Sequence, residues 1–267
     1  PEDLRAREVI KNFESDLWVH SDASLTVKEK ITVISEGREI RRGIYRDFPT
    51  DYTDNAGNQY RVGFTVEKVT RNGQEEPFHT ERLSNGVRVY IGSKDKYIDK
   101  GEHRYAITYN TTRQIGFFDG FDELYWNVTG NGWAFEIEKA SARVHLPDGA
   151  SVLNFSAYTG YQGETGKAFM TRDFVDGIGF YTTRPLRAKE GLTIAVSWPI
   201  GYVAKPTDGE KLRYFLADNR ILIAGLSGLL ILLIYYSVVW WPPLPCGISA
   251  KWDSITRSSP RQLSIWR

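Results

Sequence analysis

Residues 221–241 read Ile-Leu-Ile-Ala-Gly-Leu-Ser-Gly-Leu-Leu-Ile-Leu-Leu-Ile-Tyr-Tyr-Ser-Val-Val-Trp-Trp, without one charged side chain. As a helix rising about 1.5 Å per residue, this run spans roughly 30 Å, the thickness of a bilayer's hydrocarbon core. Lipid offers backbone groups no partner, so only a helix or a closed barrel crosses it, and the run lacks the period-two alternation of a strand. Tyr235, Tyr236, Trp240 and Trp241 crowd one end, where amphipathic rings favour the headgroup level, and Arg220 closes the other. The reading is a single transmembrane helix over 221–241, in contact with membrane lipid, with a polar domain tethered before it.

The chain has 267 residues, so about 200 precede this segment, enough for one large β domain or two ordinary ones. Net charge is +1 with acids and bases interspersed, which gives no nucleic-acid surface. Aromatic residues make up 13%, and with abundant Thr and Val they favour strands. The lone cysteine, Cys246, excludes an internal disulfide. The sequence begins at Pro1 with no leader pattern, and the expectation is a signal peptide already removed or not included.

Along the chain, Leu25, Val27, Ile31 and Val33 alternate with Thr26, Lys28, Lys30 and Thr32, the period-two pattern of a half-buried antiparallel strand. It follows a strand carrying Ile10, Phe13, Leu17 and Val19 and a turn at Ser21-Asp22-Ala23-Ser24. Asp51 to Asn58 reads as a polar loop. Asn72-Gly73 and Asn85-Gly86 are hairpin signals. Strands are expected near Tyr60–Val69, Phe78–Arg82, Val87–Gly92, His103–Tyr109, Phe135–Leu146, Val152–Tyr158, Gly177–Thr182 and Leu192–Trp198. The aromatic and glycine-rich stretch Phe117–Trp133 reads instead as a loop or bulged strand. Short strands without intervening amphipathic helices predict an all-β domain of sandwich type, as one large or two packed sandwiches. Thr207-Asp208-Gly209-Glu210 has the form of a capping box, predicting one helix from about Asp208 into the membrane. Pro242-Pro243 stop it, and the tail to Arg267 shows no period. The expected organisation is a β domain over 1–205, a juxtamembrane and membrane helix over 206–241, and a tail over 242–267.

The segments Ile40-Arg41-Arg42-Gly43-Ile44-Tyr45-Arg46-Asp47-Phe48-Pro49, Asp122-Glu123-Leu124-Tyr125-Trp126-Asn127-Val128-Thr129-Gly130 and Leu146-Pro147-Asp148-Gly149 resemble the YciQ-like predicted membrane proteins, which carry domain of unknown function 2207. The resemblance covers about residues 8–241. It implies an exported bacterial or archaeal β domain behind a signal peptide, then a membrane helix, and it supplies no activity. Lys and Arg counts on the two sides of the span are nearly equal, so the resemblance decides the orientation: N-terminal domain extracytoplasmic, single pass in the cell membrane. Members continue into further apolar segments after the first helix; nothing after Trp241 matches them, which reads as a truncated or frame-altered C-terminus.

Chemistry is thinly written. Asp119, Asp122 and Glu123 are near enough in sequence to converge on a hard cation, but without loop spacing they read as partners for Arg41, Arg42 and Arg46. Those arginines suit an anionic headgroup or polymer, or an internal ion-pair cluster. Tyr125, Trp126, Trp133, Tyr158 and Tyr161 suit either a sugar-stacking platform or a sandwich core. His20, His79, His103 and His145 have no zinc-ligand spacing, and phosphate-loop, dinucleotide and nucleophile-elbow motifs are absent, so no metal, cofactor or catalytic residue is expected. The candidate binding set is Arg41, Arg42, Arg46, Asp119, Asp122, Glu123, Trp126 and Trp133. The leading expectation is a non-enzymatic binding or interaction module of the cell envelope, its partner an envelope polymer or membrane protein. The alternatives are a carboxylate-based glycan-acting enzyme and a structural subunit of a membrane assembly.

Overall fold

The structure is a computed structural model and describes residues 7–53 and 57–241. The core of the expected polar loop, the proline stop and the C-terminal tail, Cys246 included, lie outside the described residues. Those that are described form two compact units, one ending at Asn219 and one beginning at Arg220.

The first unit is built on strands. In chain order these are β1 (Val9–Val19), β2 (Ser24–Ser35), β3 (Gly43–Pro49), β4 (Asp51–Thr53), β5 (Gln59–Arg61), β6 (Phe64–Arg71), β7 (Gln74–Glu75), β8 (Phe78–Leu83) and β9 (Gly86–Gly92). Then follow β10 (Gly101–Thr112), β11 (Ile115–Phe117), β12 (Phe121–Asn127), β13 (Ala140–His145), β14 (Asn154–Gly160), β15 (Phe169–Phe174), β16 (Gly177–Thr182) and β17 (Gly191–Pro199). An eight-stranded sheet runs in the order β15-β16-β13-β1-β2-β10-β6-β7. A four-stranded sheet β11-β12-β17-β14 and a three-stranded sheet β3-β9-β8 lie against one face of it, and β4 pairs with β5. Contacts between the layers show this: Phe155 meets Phe180 at 6.0 Å and Phe48 meets Tyr109 at 4.7 Å between ring centres. Buried apolar side chains from all three larger sheets merge in one core. The fold is therefore an all-β sandwich.

Alternation sets the β1–β2 hairpin as expected. Phe13, Leu17 and Val19 on β1 and Leu25, Val27, Ile31 and Val33 on β2 are buried, with the lysines outside. In the turn, the Asp22 carboxylate accepts from the Ser24 N–H at 2.9 Å and hydroxyl at 2.6 Å. On its other side β1 pairs with β13 in parallel, Phe13 opposite Ala140 through Trp18 opposite His145. Both Asn-Gly signals mark tight hairpins, in different positions of the turn. Asn72 and Gly73 take φ of 54° and 82° and turn β6 into β7, as a tight hairpin requires. The second turns β8 into β9 at Ser84-Asn85, so Gly86 is the first residue of β9, opposite Leu83 on one side and Pro49 on the other, where a Cβ would sit 2.1 Å from the Phe48 carbonyl oxygen.

The stretch expected to be irregular contains a regular strand, because β12 alternates cleanly: Asp122 and Leu124 inward, Glu123 and Tyr125 outward. The strand expected over Phe135–Leu146 begins only at Ala140; before it, Ile137 makes isolated bridges to Ile10 and Leu186.

Helix α1 (Asp208–Asp218) belongs to the first unit and opens on the expected capping box. Thr207 Oγ1 accepts from the Glu210 N–H at 3.2 Å, and Glu210 Oε2 accepts from the Thr207 N–H at 2.9 Å. Arg113 anchors the helix by an ion pair to Asp218 at 2.8 Å and lies 4.5 Å from the Tyr214 ring centre. One helix was expected here, but α1 ends at Asn219 (φ −107°, ψ 22°), whose side-chain amide and main-chain N–H both donate to the Phe215 carbonyl at 3.0 Å. An Asn that serves the preceding turn in this way competes with helix continuation.

The second unit contains α2 (Arg220–Trp240), 21 residues with none buried. Its composition and length make it a candidate membrane span.

Candidate functional site

The site starts with a contradiction in β2. Between the buried Val27 and Ile31 the inward position is Glu29, 0% exposed. A carboxylate there needs a charge partner and hydrogen bonds. β3 supplies Arg46: Nε donates to Glu29 Oε2 at 2.9 Å and Nη2 to Oε1 at 3.1 Å. Nη2 also donates to the Val128 carbonyl at 3.0 Å and Nη1 to the Asp47 carbonyl at 3.1 Å. Tyr109 on β10 donates its hydroxyl to Glu29 Oε1 at 3.0 Å. The Phe48 ring centre lies 4.9 Å from the guanidinium. Burial pushes the Arg46 pKa down, but the Glu29 charge and hydrogen bonds outweigh it and hold the group above its usual value. Burial also pushes the Tyr109 phenol well above its ordinary range. Arg46 thus ties β3, β2 and the end of β12 together. Gly130 (φ 71°) lies alongside, where a Cβ would be 2.8 Å from Arg46 Nη1.

Above this pair a cleft of about 1040 Å³ opens between the three-stranded and four-stranded sheets. One wall is β3, presenting Tyr45, which is 46% exposed. The other is β12 with Glu123, Tyr125, Trp126 and Asn127, and Tyr125 is 62% exposed. Trp133 is buried at one side; its Nε1 donates to the Thr129 carbonyl at 2.8 Å and its ring meets Phe13 edge-on at 6.2 Å. Trp126 Nε1 is enclosed and has no hydrogen-bond partner among the described residues. Tyr52 and Tyr60, stacked at 5.4 Å, also line the space. The surface is therefore one of aromatic faces, side-chain amides and a few carboxylates.

Four of the eight candidate residues meet at this cleft: Arg46, Glu123, Trp126 and Trp133. Arg41, Arg42 and Asp119 are exposed and lie outside its lining; Arg42 donates to the Tyr97 hydroxyl at 3.0 Å. Asp122 and Glu123 are neighbours on a strand and therefore point to opposite faces, so the three acids do not converge. No cluster of three or more His, Cys, Asp or Glu fit to hold a metal occurs among the described residues. Arg46 pairs with Glu29 and not with the acids grouped with it in the sequence. Nor does Asp122 face a second carboxyl across the cleft, as glycan hydrolysis by that pair would require. The missed residues are Glu29, Tyr45 and Tyr109. Glu29 had a signal: it is the one charged residue in the apolar phase of β2.

Asp122 is also 0% exposed, but neither carboxyl oxygen has a hydrogen-bond partner among the described residues. Its only charge partner among the described residues is Lys205, at 4.0 Å and about half exposed. Burial raises its pKa, and Lys205 offsets part of the rise.

The family model described as the N-terminal domain of predicted membrane proteins, DUF2207, matches residues 9–198. The chain belongs to this family. It is 26% identical over 255 residues to the uncharacterized protein YciQ of Escherichia coli K12, across 95% of this chain and 38% of that protein. The chain thus spans well under half the length of that relative. A yeast LTA4 hydrolase bound to bestatin aligns with a TM-score of 0.44 at 10% identity, over 73% of this chain and 31% of its own. An M1 zinc metallopeptidase from Deinococcus radiodurans gives 0.41 at 15%, over 70% and 42%. At these scores the likenesses assign no chemistry. Family and span together make this a membrane protein of unknown function.

Proposed function

We propose that the β domain is a membrane-tethered binding module of the cell envelope that takes an extended ligand in the cleft between β3 and β12, with the domain on the extracytoplasmic side and α2 as its anchor. The observation that carries this reading is the cleft itself: about 1040 Å³ of open space walled by Tyr45 and Tyr125, both exposed. Large aromatic faces left in water cost hydrophobic free energy that a bound ligand recovers, and such concave sites are where ligands bind. The Arg46–Glu29–Tyr109 group contributes rigidity beneath it and is already saturated, which argues for a preformed site without acid–base duty.

Photo-crosslinking in intact cells tests it. A crosslinking residue at Tyr125 captures an envelope component; the same residue at Arg104, on the opposite face of the eight-stranded sheet, does not. Equal capture at both positions, or protection of the domain from external protease, sinks the reading.

A further inference from the structure

Besides its side chains, the cleft exposes main chain. β3 is the terminal strand of its sheet: β9 covers one edge, and no strand among the described residues covers the other. The Thr50 N–H donates to the Asn85 carbonyl at 3.0 Å and Pro49 has no N–H, so the ladder to β9 falls on the even-numbered Ile44, Arg46 and Phe48. Tyr45 and Asp47 consequently turn their main-chain groups toward the cleft. Arg46 Nη1 occupies the Asp47 carbonyl, which leaves both groups of Tyr45 and the Asp47 N–H open among the described residues. Across the cleft β11, which begins at Ile115 opposite Leu124, covers β12 no further than that pair, and Tyr125, Trp126 and Asn127 of β12 are paired with β17 alone.

Open edges are normally kept short, charged or covered, because they are templates for another chain. β3 is instead seven residues long and recessed between aromatic walls. Charge points the same way. Glu39 and Glu123 line the cleft and have no hydrogen bond or ion pair from their carboxylates among the described residues, whereas its arginines, Arg46 and Arg113, are taken by Glu29 and Asp218. The uncompensated charge is negative. A neutral saccharide would stack on the rings but leave both carboxylates without a cation.

We infer that β3 receives an extended, basic polypeptide segment of a partner protein as an added strand, Tyr45 and Asp47 bonding its main chain and Glu39 and Glu123 meeting its Lys or Arg side chains. This rests on the cleft being the binding site, as proposed above.

The test uses the full chain in lipid nanodiscs and a displayed library of random linear peptides. Enriched peptides are expected to be basic with alternating apolar residues. N-methylation of their amides in one parity weakens binding about three- to tenfold per site, and in the other parity leaves it unchanged. Tyr45→Pro lowers affinity beyond Tyr45→Ala, and Glu39→Gln with Glu123→Gln weakens binding and flattens its salt dependence. Equal tolerance of methylation in both parities overturns strand addition, whatever Tyr45→Pro does to folding. If no peptide is enriched but soluble peptidoglycan sugar strands bind and are lost on Tyr125→Ala, the cleft reading stands and the polypeptide inference falls. If neither probe binds, both fall.

Discussion

Glu29 and Asp122 are both sealed from solvent on the inner faces of packed sheets, and the domain treats them in opposite ways. Glu29 receives two guanidinium bonds and a phenol; Asp122 receives no hydrogen bond and one ammonium at 4.0 Å. The fold is tied at Glu29 and under tension at Asp122. Around Glu29 three strands from two layers are fixed to one charge, directly below the open cleft. Around Asp122 the chain tolerates an expensive group beside Lys205, where the β domain gives way to α1.

The largest effect is expected at Arg46. Arg46→Ala strands the Glu29 charge in the core, and a loss of about 3–5 kcal/mol is expected in denaturant unfolding of the full chain in micelles. The double change Glu29→Gln, Arg46→Met should recover much of it, because a neutral pair has no charge to bury; a loss below about 1 kcal/mol for Arg46→Ala would mean that Glu29 has other support. Tyr109→Phe removes one bond to a charged oxygen, and a loss of about 2 kcal/mol is expected by the same measurement.

Asp122→Asn should move the other way, with a gain of about 1 kcal/mol near neutral pH. The sign follows from burial: the native carboxyl holds its proton to higher pH than in the unfolded chain, where the ordinary value is 3.8. Between the two values the native state binds more protons, so its stability falls as pH rises through that window. The gap between variant and parent should therefore widen as pH rises above about 4 and level off once the native carboxyl has ionised, and a gap independent of pH would show that Asp122 is not the source. The smallest effect belongs to Lys205→Met. With the ammonium gone the Asp122 pKa should climb further, but Lys205 is half exposed and solvent-screened, so stability should change by only about 0.5 kcal/mol; a larger change would make this a tight pair like the other.

Local pattern carried much of this architecture. The β1–β2 hairpin, β16, β17, the capping box at Thr207 and the apolar run at 221–241 are legible because alternation, turn chemistry and hydropathy act within a few residues. β12 was obscured by its aromatic and glycine-rich setting, although Asp122 and Leu124 against Glu123 and Tyr125 keep a strand period. The cleft was legible by residue type alone. Arg46, Trp126 and Trp133 stand out, yet nothing local places Tyr45 opposite Tyr125 or Glu29 beneath Arg46, since those meetings depend on which sheets share a face. Glu29 shows how a polar residue in an apolar phase signals a distant partner without naming it.

The parallel pairing of β1 with β13 bears on how the domain comes to exist. Within the domain β1 finds β2 at once through a short turn, and then waits for a neighbour about 127 residues later in the chain, Phe13 opposite Ala140. Such a long-range contact slows folding, because loop closure must precede any gain from pairing. A chain threaded unfolded from its N-terminus thus presents an early hairpin with β1's far edge bare and its Phe13 and Leu17 uncovered. That interval is when a chaperone would find its target.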